Sequence, residues 1–375
     1  MMSGHNLVMA KLDDDCILVI GLGDLGQQIV NAMAHRPGGR LVTAARNAEV
    51  AGVTAGQASL IAAVCNGPRT VEHARIDLDE IDQTATELAR LAPSVIVLAA
   101  SRVTWWRLPE RAATIAYGAW LPLHVTLVRK LMQARALAGV HAPVVVLPYP
   151  DGVGPILAGA GLAPELGAGN VLEMAAKLVT VAAQRANVAR QHVSVQLVAH
   201  HAVQRSAFTA FQVLAGVGPT SPPPFLAKVS VDGQPVPTAT VREYLTTPHP
   251  LPSGRATHTL TAAATLATVD ALLSHTPRRL HVPAPAGRPG GYPVTISRAG
   301  IELDLPDDVS EADAIAINAV AARWDGIEQI TPDGTLTFTA AVSNEIERQL
   351  GLTLKRITLD EQQAVADELA ARLNR

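Results

Sequence analysis

A glycine-rich turn near the start of the chain is the first segment whose residue types indicate chemistry. It contains Gly21, Gly23, Asp24, Leu25 and Gly26, and it lies between an apolar run, residues 16–20, and an amphipathic segment typical of a helix. In such a turn the first glycine makes the bend, the second lets a pyrophosphate approach the backbone, and the third lets helix and strand pack closely. The anion would lie at the helix N-terminus. The turn therefore predicts a dinucleotide site; the alternative is a strand–helix turn without a ligand.

The residues after the second predicted strand bear on the type of dinucleotide. Arg46 follows that strand, residues 40–45, twenty positions after Gly26. An acidic residue in this neighbourhood binds a ribose 2′-hydroxyl, whereas an arginine accommodates a 2′-phosphate. We therefore expect NADP, with NAD as the alternative because Asn47 and Glu49 could serve a ribose. An Arg46 that is merely solvated is the other interpretation.

A predicted strand at residues 94–100 and the segment that follows it also indicate ligand contacts. The apolar run 94–100 is typical of a parallel strand buried on both faces, so Ala99 and Ala100 at its end are expected to contact the cofactor. The next segment, residues 101–111, is polar, cationic and aromatic, and it includes Trp105 and Trp106. Two adjacent tryptophans indicate an apolar or aromatic substrate, a bound cation, or packing within the loop or against another subunit.

Adjacent histidines form the other informative segment. His200 and His201 follow an alternating strand, residues 193–198. A neutral imidazole can accept a proton and return it near neutral pH. The alternative is one buried and one solvated histidine. A metal site made by both histidines and Glu173 is disfavoured, because neighbouring residues on a strand point to opposite faces. We therefore expect no metal.

Composition excludes several classes of protein. The chain has 375 residues, a formal net charge of -3 and two cysteines. Neither a basic patch for nucleic acid, nor a disulfide framework, nor an apolar run long enough for a membrane span is present in the sequence. We expect a cytoplasmic protein with a small-molecule substrate that forms a homodimer or a higher homo-oligomer.

The order of predicted elements indicates an α/β protein with three parts. Residues 1–148 alternate strands and helices and predict a doubly wound parallel Rossmann sheet. Residues 149–326 predict an α+β substrate and catalytic domain, and residues 327–375 predict a hairpin and two helices. This C-terminal tail would either cover the first domain or build a dimer interface.

The chain resembles the lactate/malate dehydrogenase superfamily from residue 17 to about Trp324. Besides the glycine turn, the match rests on residues 169–177, Gly-Asn-Val-Leu-Glu-Met-Ala-Ala-Lys, and on the strand that ends at His201. In that family the helix carries an Asp that orients the catalytic His and an Arg that binds substrate. The resemblance places Glu173 at the Asp, His201 at the His and Ala176 at the Arg.

The resemblance also identifies departures and a lid. Lys177 could replace the positive charge of the family's arginine, which is absent at Ala176, but not the planar, bidentate hydrogen bonding of a guanidinium. Residues 148–151, Pro-Tyr-Pro-Asp, stand where the family has Asn-Pro-x-Asp, so its Asn is missing. The segment 101–111 resembles the family's mobile arginine loop, and its Arg107 and Arg111 have the spacing for substrate contact. The resemblance thus implies four catalytic residues: His201, Glu173, Arg107 and Arg111.

Three functions remain open at this point. The first is an NAD(P)-dependent oxidoreductase that interconverts a carbonyl and an alcohol on an anionic substrate, with His201 as general acid/base. The second is an imine-reducing dehydrogenase of the opine or saccharopine type. The third is a nicotinamide-nucleotide-binding protein with a decayed catalytic site. The absence of the family's Asn and Arg is what such a loss of activity would produce.

Overall fold

A parallel sheet organises the first half of the chain. The computed structural model describes residues 15–67, 69–103, 108, 112, 114–211, 219 and 221–373. Six strands form the sheet in the order β3-β2-β1-β4-β5-β6: β1 Cys16–Ile20, β2 Arg40–Ala45, β3 Val71–Arg75, β4 Val95–Leu98, β5 Val144–Val146 and β6 Leu166–Gly167. The associated helices are α1 Asp24–Ala34, α2 Ala48–Val64, α3 Ile81–Leu91, α4 Leu121–Leu137 and α5 Pro150–Ala158.

The strand order creates a crevice at the point where the direction of winding reverses. β1 pairs with β2 on one side and β4 on the other, both in parallel. Ligands of doubly wound sheets bind beyond the carboxyl ends of the strands at this point. β1 and β4 are buried at every position, which explains their uninterrupted apolar sequences.

The second half contains two antiparallel sheets. One has β7 Val193–Val198, β8 Leu226–Val231 and β9 Gln234–Pro235; the other has β10 Arg278–Pro283, β11 Gly291–Ser297 and β12 Gly300–Leu303. The helices of this half are α6 Asn170–Ala186, α7 Gln204–Ala207, α8 Thr238–Thr246, α9 His258–Leu273 and α10 Glu311–Ala321. The predicted α/β Rossmann sheet followed by an α+β part is confirmed.

The C-terminal segment covers the first sheet. It contains β13 Ile327–Ile330, β14 Leu336–Phe338, β15 Arg356–Ile357, α11 Ala340–Leu350 and α12 Gln362–Leu373. Leu18 and Ile20 of β1 share a hydrophobic core with α4 and with Phe338 of this segment. Ile17 and Val19 point to the other face and pack with α1 and α9. Of the two expectations for the tail, the structure thus shows the cover over the first domain.

The parallel sheet extends past the predicted domain boundary. That boundary, after residue 148, precedes β6, which pairs with β5 and completes the sheet. Within residues 233–252, α8 begins directly after Pro237. Within the described residues, no helix combines the length and the apolar character that a membrane crossing requires.

Candidate active site

The three glycines of the turn have different surroundings. Gly21 has φ +96°, and a Cβ there would lie 2.3 Å from the amide nitrogen of Ala100. A Cβ on Gly26 would lie 1.9 Å from the carbonyl oxygen of Gly21. A Cβ on Gly23 would meet nothing within 4 Å, and no side chain caps the helix α1 that begins after it. Open space beside an uncapped helix N-terminus fits a pyrophosphate.

A cavity of about 750 Å³ extends from this turn to His201. Its volume is in the range of small-molecule and cofactor sites. Its walls include most of the residues predicted from the sequence: Gly21, Gly23, Asp24, Leu25, Arg46, Asn47, Ala99, Ala100, Glu173 and His201. Gly26 does not line the cavity, because it packs under Gly21.

The residues beside the glycine turn differ in how far their polar atoms are engaged. Asp24 Oδ2 accepts hydrogen bonds from Gln28 Nε2 at 2.9 Å and pairs with His258 Nδ1 at 2.7 Å. Asn47 caps α2 by accepting from the amide of Glu49 at 2.9 Å. Arg46 is exposed and, within the described chain, makes no ion pair. Its guanidinium is therefore available at the N-terminus of α2.

His201 is held by a carboxylate that the sequence did not predict. Its ring Nδ1 lies 2.7 Å from Oδ2 of Asp325, and its backbone N–H donates to Asp151 Oδ1 at 2.8 Å. Tyr117 stacks on the imidazole with ring centroids 5.0 Å apart, and Tyr149 meets it edge-on. The Tyr149 hydroxyl also donates to Asp325 Oδ2, at 2.8 Å. These contacts fix the ring while Nε2 has no hydrogen-bond partner among the described residues.

His201 and Asp325 shift each other's pKa in opposite directions. Burial lowers the pKa of His201, but the charge and hydrogen bond of Asp325 outweigh it, so that pKa is raised from its ordinary value. Burial by itself would raise the pKa of Asp325, whereas the charge and hydrogen bond of His201 bring it well below the usual range. Because its pKa is lowered even though the side chain is only 2% exposed, Asp325 stays ionised and stabilises an imidazolium.

Glu173 does not orient His201, which corrects the dyad that the resemblance implied. Its two oxygens accept from Gln204 Nε2 at 2.7 Å and from Thr261 Oγ1 at 2.8 Å. Burial raises the pKa of this carboxyl to about 7. The carboxylate that reaches Nδ1 instead comes from the 3-10 helix Ala322–Asp325, at the end of the segment that resembles the family. Glu173 remains a wall of the same cavity.

Lys177 does not supply the positive charge that the family's substrate-binding arginine would provide. Its Nζ donates to the backbone carbonyl oxygens of Ala207, Leu245 and Thr247 at 2.9, 2.6 and 2.7 Å. Ala176, at the position of the family's arginine, is exposed and is not a wall of the cavity. The described part of α6 thus offers no cation to a substrate.

His124 is a second histidine of the cavity that sequence reasoning missed. Ser101 Oγ donates to the carbonyl oxygen of Val103 at 2.7 Å, so its only hydrogen is used. The 3.0 Å contact between Ser101 Oγ and His124 Nδ1 therefore requires the hydrogen on Nδ1. Burial lowers the pKa of His124 to about 3, so the ring is neutral. Nε2 is consequently a lone-pair acceptor, and it is buried without a partner in the described structure.

The remaining predicted site residues belong to the segment 101–111. Arg107 and Arg111, with Trp105 and Trp106, lie outside the described residues. Among the described residues, no group of three or more histidine, cysteine, aspartate or glutamate side chains is arranged to hold a metal ion.

Comparison with known proteins gives a likeness in fold. No family model matches the sequence, and no curated protein matches it. Malate dehydrogenase from Cryptosporidium parvum is similar in structure, with a TM-score of 0.56 at 14% identity, over 90% of this chain and 99% of that chain. Malate dehydrogenase from Aeropyrum pernix also gives a TM-score of 0.56 at 14% identity, over 82% of this chain and 96% of that chain. The chain has the malate and lactate dehydrogenase fold.

A lactate dehydrogenase from Eimeria maxima, solved with NADH and oxamate, gives the same TM-score, 0.56, at 12% identity. The match covers 82% of this chain and 92% of that chain. The fold that the resemblance implied is therefore confirmed, and the departures found above are features of this chain within that fold.

Proposed function

We propose that the protein is an NAD(P)-dependent oxidoreductase that interconverts a carbonyl and an alcohol, with His201 as general acid/base. The observation that carries the proposal is the 2.7 Å contact between His201 Nδ1 and Asp325, in a cavity shared with the glycine turn. The malate and lactate dehydrogenases of similar fold support it, including the one solved with NADH. An intact acid/base pair favours an enzyme over a binding protein with a decayed site.

His201 would move one proton at Nε2. Because Asp325 engages Nδ1, the other nitrogen is left for a substrate hydroxyl in one direction and for the nascent alkoxide in the other. Asp325 stabilises the imidazolium that forms when Nε2 takes the proton. Tyr117 and Tyr149 hold the ring plane and limit water around it. When bound, the nicotinamide supplies or accepts the hydride.

The direct test uses the absorbance of reduced nicotinamide against a panel of aldehydes, ketones and 2-oxo acids. We expect substrate-dependent oxidation by the wild-type protein and a loss of about 10²- to 10⁴-fold in kcat for His201→Asn. Binding of NADPH, followed by fluorescence, should be the same in both proteins. Equal turnover by His201→Asn would contradict the role of His201, and no turnover by wild type with any carbonyl would contradict the reaction.

We further propose that the cofactor is NADP and that the substrate is anionic. Arg46 supports the first proposal, because an unpaired guanidinium beside the N-terminus of α2 suits a 2′-phosphate. Arg107 and Arg111 are the proposed anion clamp, on the strength of the sequence resemblance.

Arg46→Ala is expected to separate the two cofactors. Loss of a charge-assisted bond to a phosphate should raise the Kd for NADPH about 10- to 100-fold while changing that for NADH less than about twofold. Arg75→Ala is the matched control, since Arg75 is the last residue of the adjacent strand β3 but already pairs with Glu80 at 2.8 Å. Fluorescence titration measures both. An equal loss for NADH and NADPH would refute the NADP preference.

A further inference from the structure

Glu173 is a buried carboxylate that the proposed proton transfer does not use. It is 3% exposed and lines the cavity that holds His201. Both of its hydrogen-bond donors, Gln204 and Thr261, are uncharged. In the described part of the chain no lysine or arginine makes an ion pair with it, and Lys177, one turn along α6, is engaged by backbone carbonyls.

A buried carboxylate without a cation is costly to the folded protein. Removing a charge from water costs several kcal/mol unless an opposite charge compensates it. In the free protein the group avoids this cost in part by holding its proton, since burial raises the pKa of Glu173 to about 7. A cationic ligand in the cavity would supply the missing charge and favour the ionised form.

A second hydrogen-bond acceptor belongs to His124, which also lines the cavity. His124 is 2% exposed, and its Nε2 has a lone pair without a partner in the described structure. A chain of contacts links it to Glu173: His124 lies beside Tyr117, which stacks on His201, and Gln204, one turn after His201, contacts Glu173. Two residues that line the cavity near the proposed acid/base thus carry hydrogen-bond acceptors. Such walls fit a ligand that is rich in donors.

We propose that the substrate carries an ammonium group, with Glu173 as its counter-ion and His124 as the acceptor of a further N–H or O–H. This inference uses one part of the proposed function, namely that the substrate binds in the cavity beside His201. Ala176 and Lys177 are in keeping with it, because the helix that carries Glu173 has no cation directed at the cavity.

The experiment compares butylammonium with 1-butanol on the NADPH-bound protein by isothermal titration calorimetry. We expect butylammonium to bind at least about tenfold more tightly than the alcohol, because only the ammonium compensates the carboxylate. Glu173→Gln should abolish this preference without changing the Kd for NADPH. Glu345→Gln is the matched control, because Glu345 is a buried carboxylate that pairs with Arg348 and does not line the cavity.

Proton release gives a second readout on the wild-type protein. With a pKa of about 7, Glu173 is mostly protonated at pH 6 and mostly ionised at pH 8. Binding of butylammonium should therefore weaken about tenfold from pH 8 to pH 6 and release a proton at the lower pH. Among the described residues, His201 is the titrating group whose charge acts on Glu173 and lowers its pKa. Comparison with Glu173→Gln removes the contribution of His201 to the pH dependence.

Each outcome decides for or against the ammonium site. Equal affinity for the amine and the alcohol, or a preference that survives in Glu173→Gln, would overturn it. A Glu173→Gln variant that loses affinity for oxidised NADP but not for butylammonium would assign the carboxylate to the cationic nicotinamide instead. Amine binding without turnover of any carbonyl would refute the proposed reaction and leave the ammonium site standing.

Discussion

Asp325→Asn is expected to lower kcat by about three to four orders of magnitude while leaving the Kd for NADPH unchanged. An asparagine amide can donate to Nδ1 of His201, which places the hydrogen on Nε2 and removes the base. A loss of about 10⁴-fold is the size found when the carboxylate behind a catalytic histidine is replaced by an amide. The 2.7 Å contact makes Asp325 the carboxylate on which this tautomer depends.

Tyr149→Phe is the matched control for that measurement. It removes the hydroxyl that donates to Asp325 at 2.8 Å but keeps the ring beside His201 and the carboxylate itself. We expect a loss of at most about 100-fold, the range of one hydrogen bond from a neutral hydroxyl to a charged carboxylate, and a smaller loss than in Asp325→Asn. Asp325→Asn at more than a tenth of wild-type kcat, in a protein with an unchanged melting temperature, would contradict the assignment of Asp325.

The glycine turn could be predicted because its geometry is local. Strand, bend and helix follow one another within residues 16–34, and Gly21 and Gly26 closely approach atoms of the same turn or of the neighbouring strand end. The apolar runs of β1 and β4 likewise specify strands that are buried on both faces. The fold was predictable to the extent that it depends on such runs and on their alternation with helices.

The carboxylate behind His201 could not be predicted, because it depends on tertiary packing. Asp325 is 124 positions away in the sequence and reaches the ring from the end of a 3-10 helix, directly before Gly326, where φ is +86°. The sequence resemblance placed Glu173 there, since Glu173 occupies the corresponding helix position. The only signal for Asp325 is an acidic residue before a glycine that can adopt a left-handed conformation, and such pairs are common at helix ends.

Glu173→Gln is expected to stabilise the cofactor-free protein at pH 8, by up to about 3 kcal/mol, with little effect at pH 5. Burial raises the pKa of this carboxyl from 4.5 to about 7, so the folded state binds the proton more tightly than the unfolded state. The contribution of Glu173 to the wild-type free energy of unfolding therefore falls as the pH rises from about 4.5 to about 7, and then levels off. A neutral glutamine has no such loss. Urea unfolding at the two pH values measures the difference.

Glu345→Gln should change stability in the opposite direction. The hydrogen bond from Arg348 lowers the pKa of Glu345 to about 2, so its carboxylate stabilises the folded state above the unfolded pKa and loses that effect in acid. We expect the Glu345 variant to be less stable than wild type at pH 8 and the Glu173 variant to be more stable. A loss of stability in Glu173→Gln at pH 8 would mean that Glu173 is already paired with a cation in the free protein. A gain would mean that the chain keeps a carboxylate that weakens its fold, as expected of a group retained for binding rather than for stability.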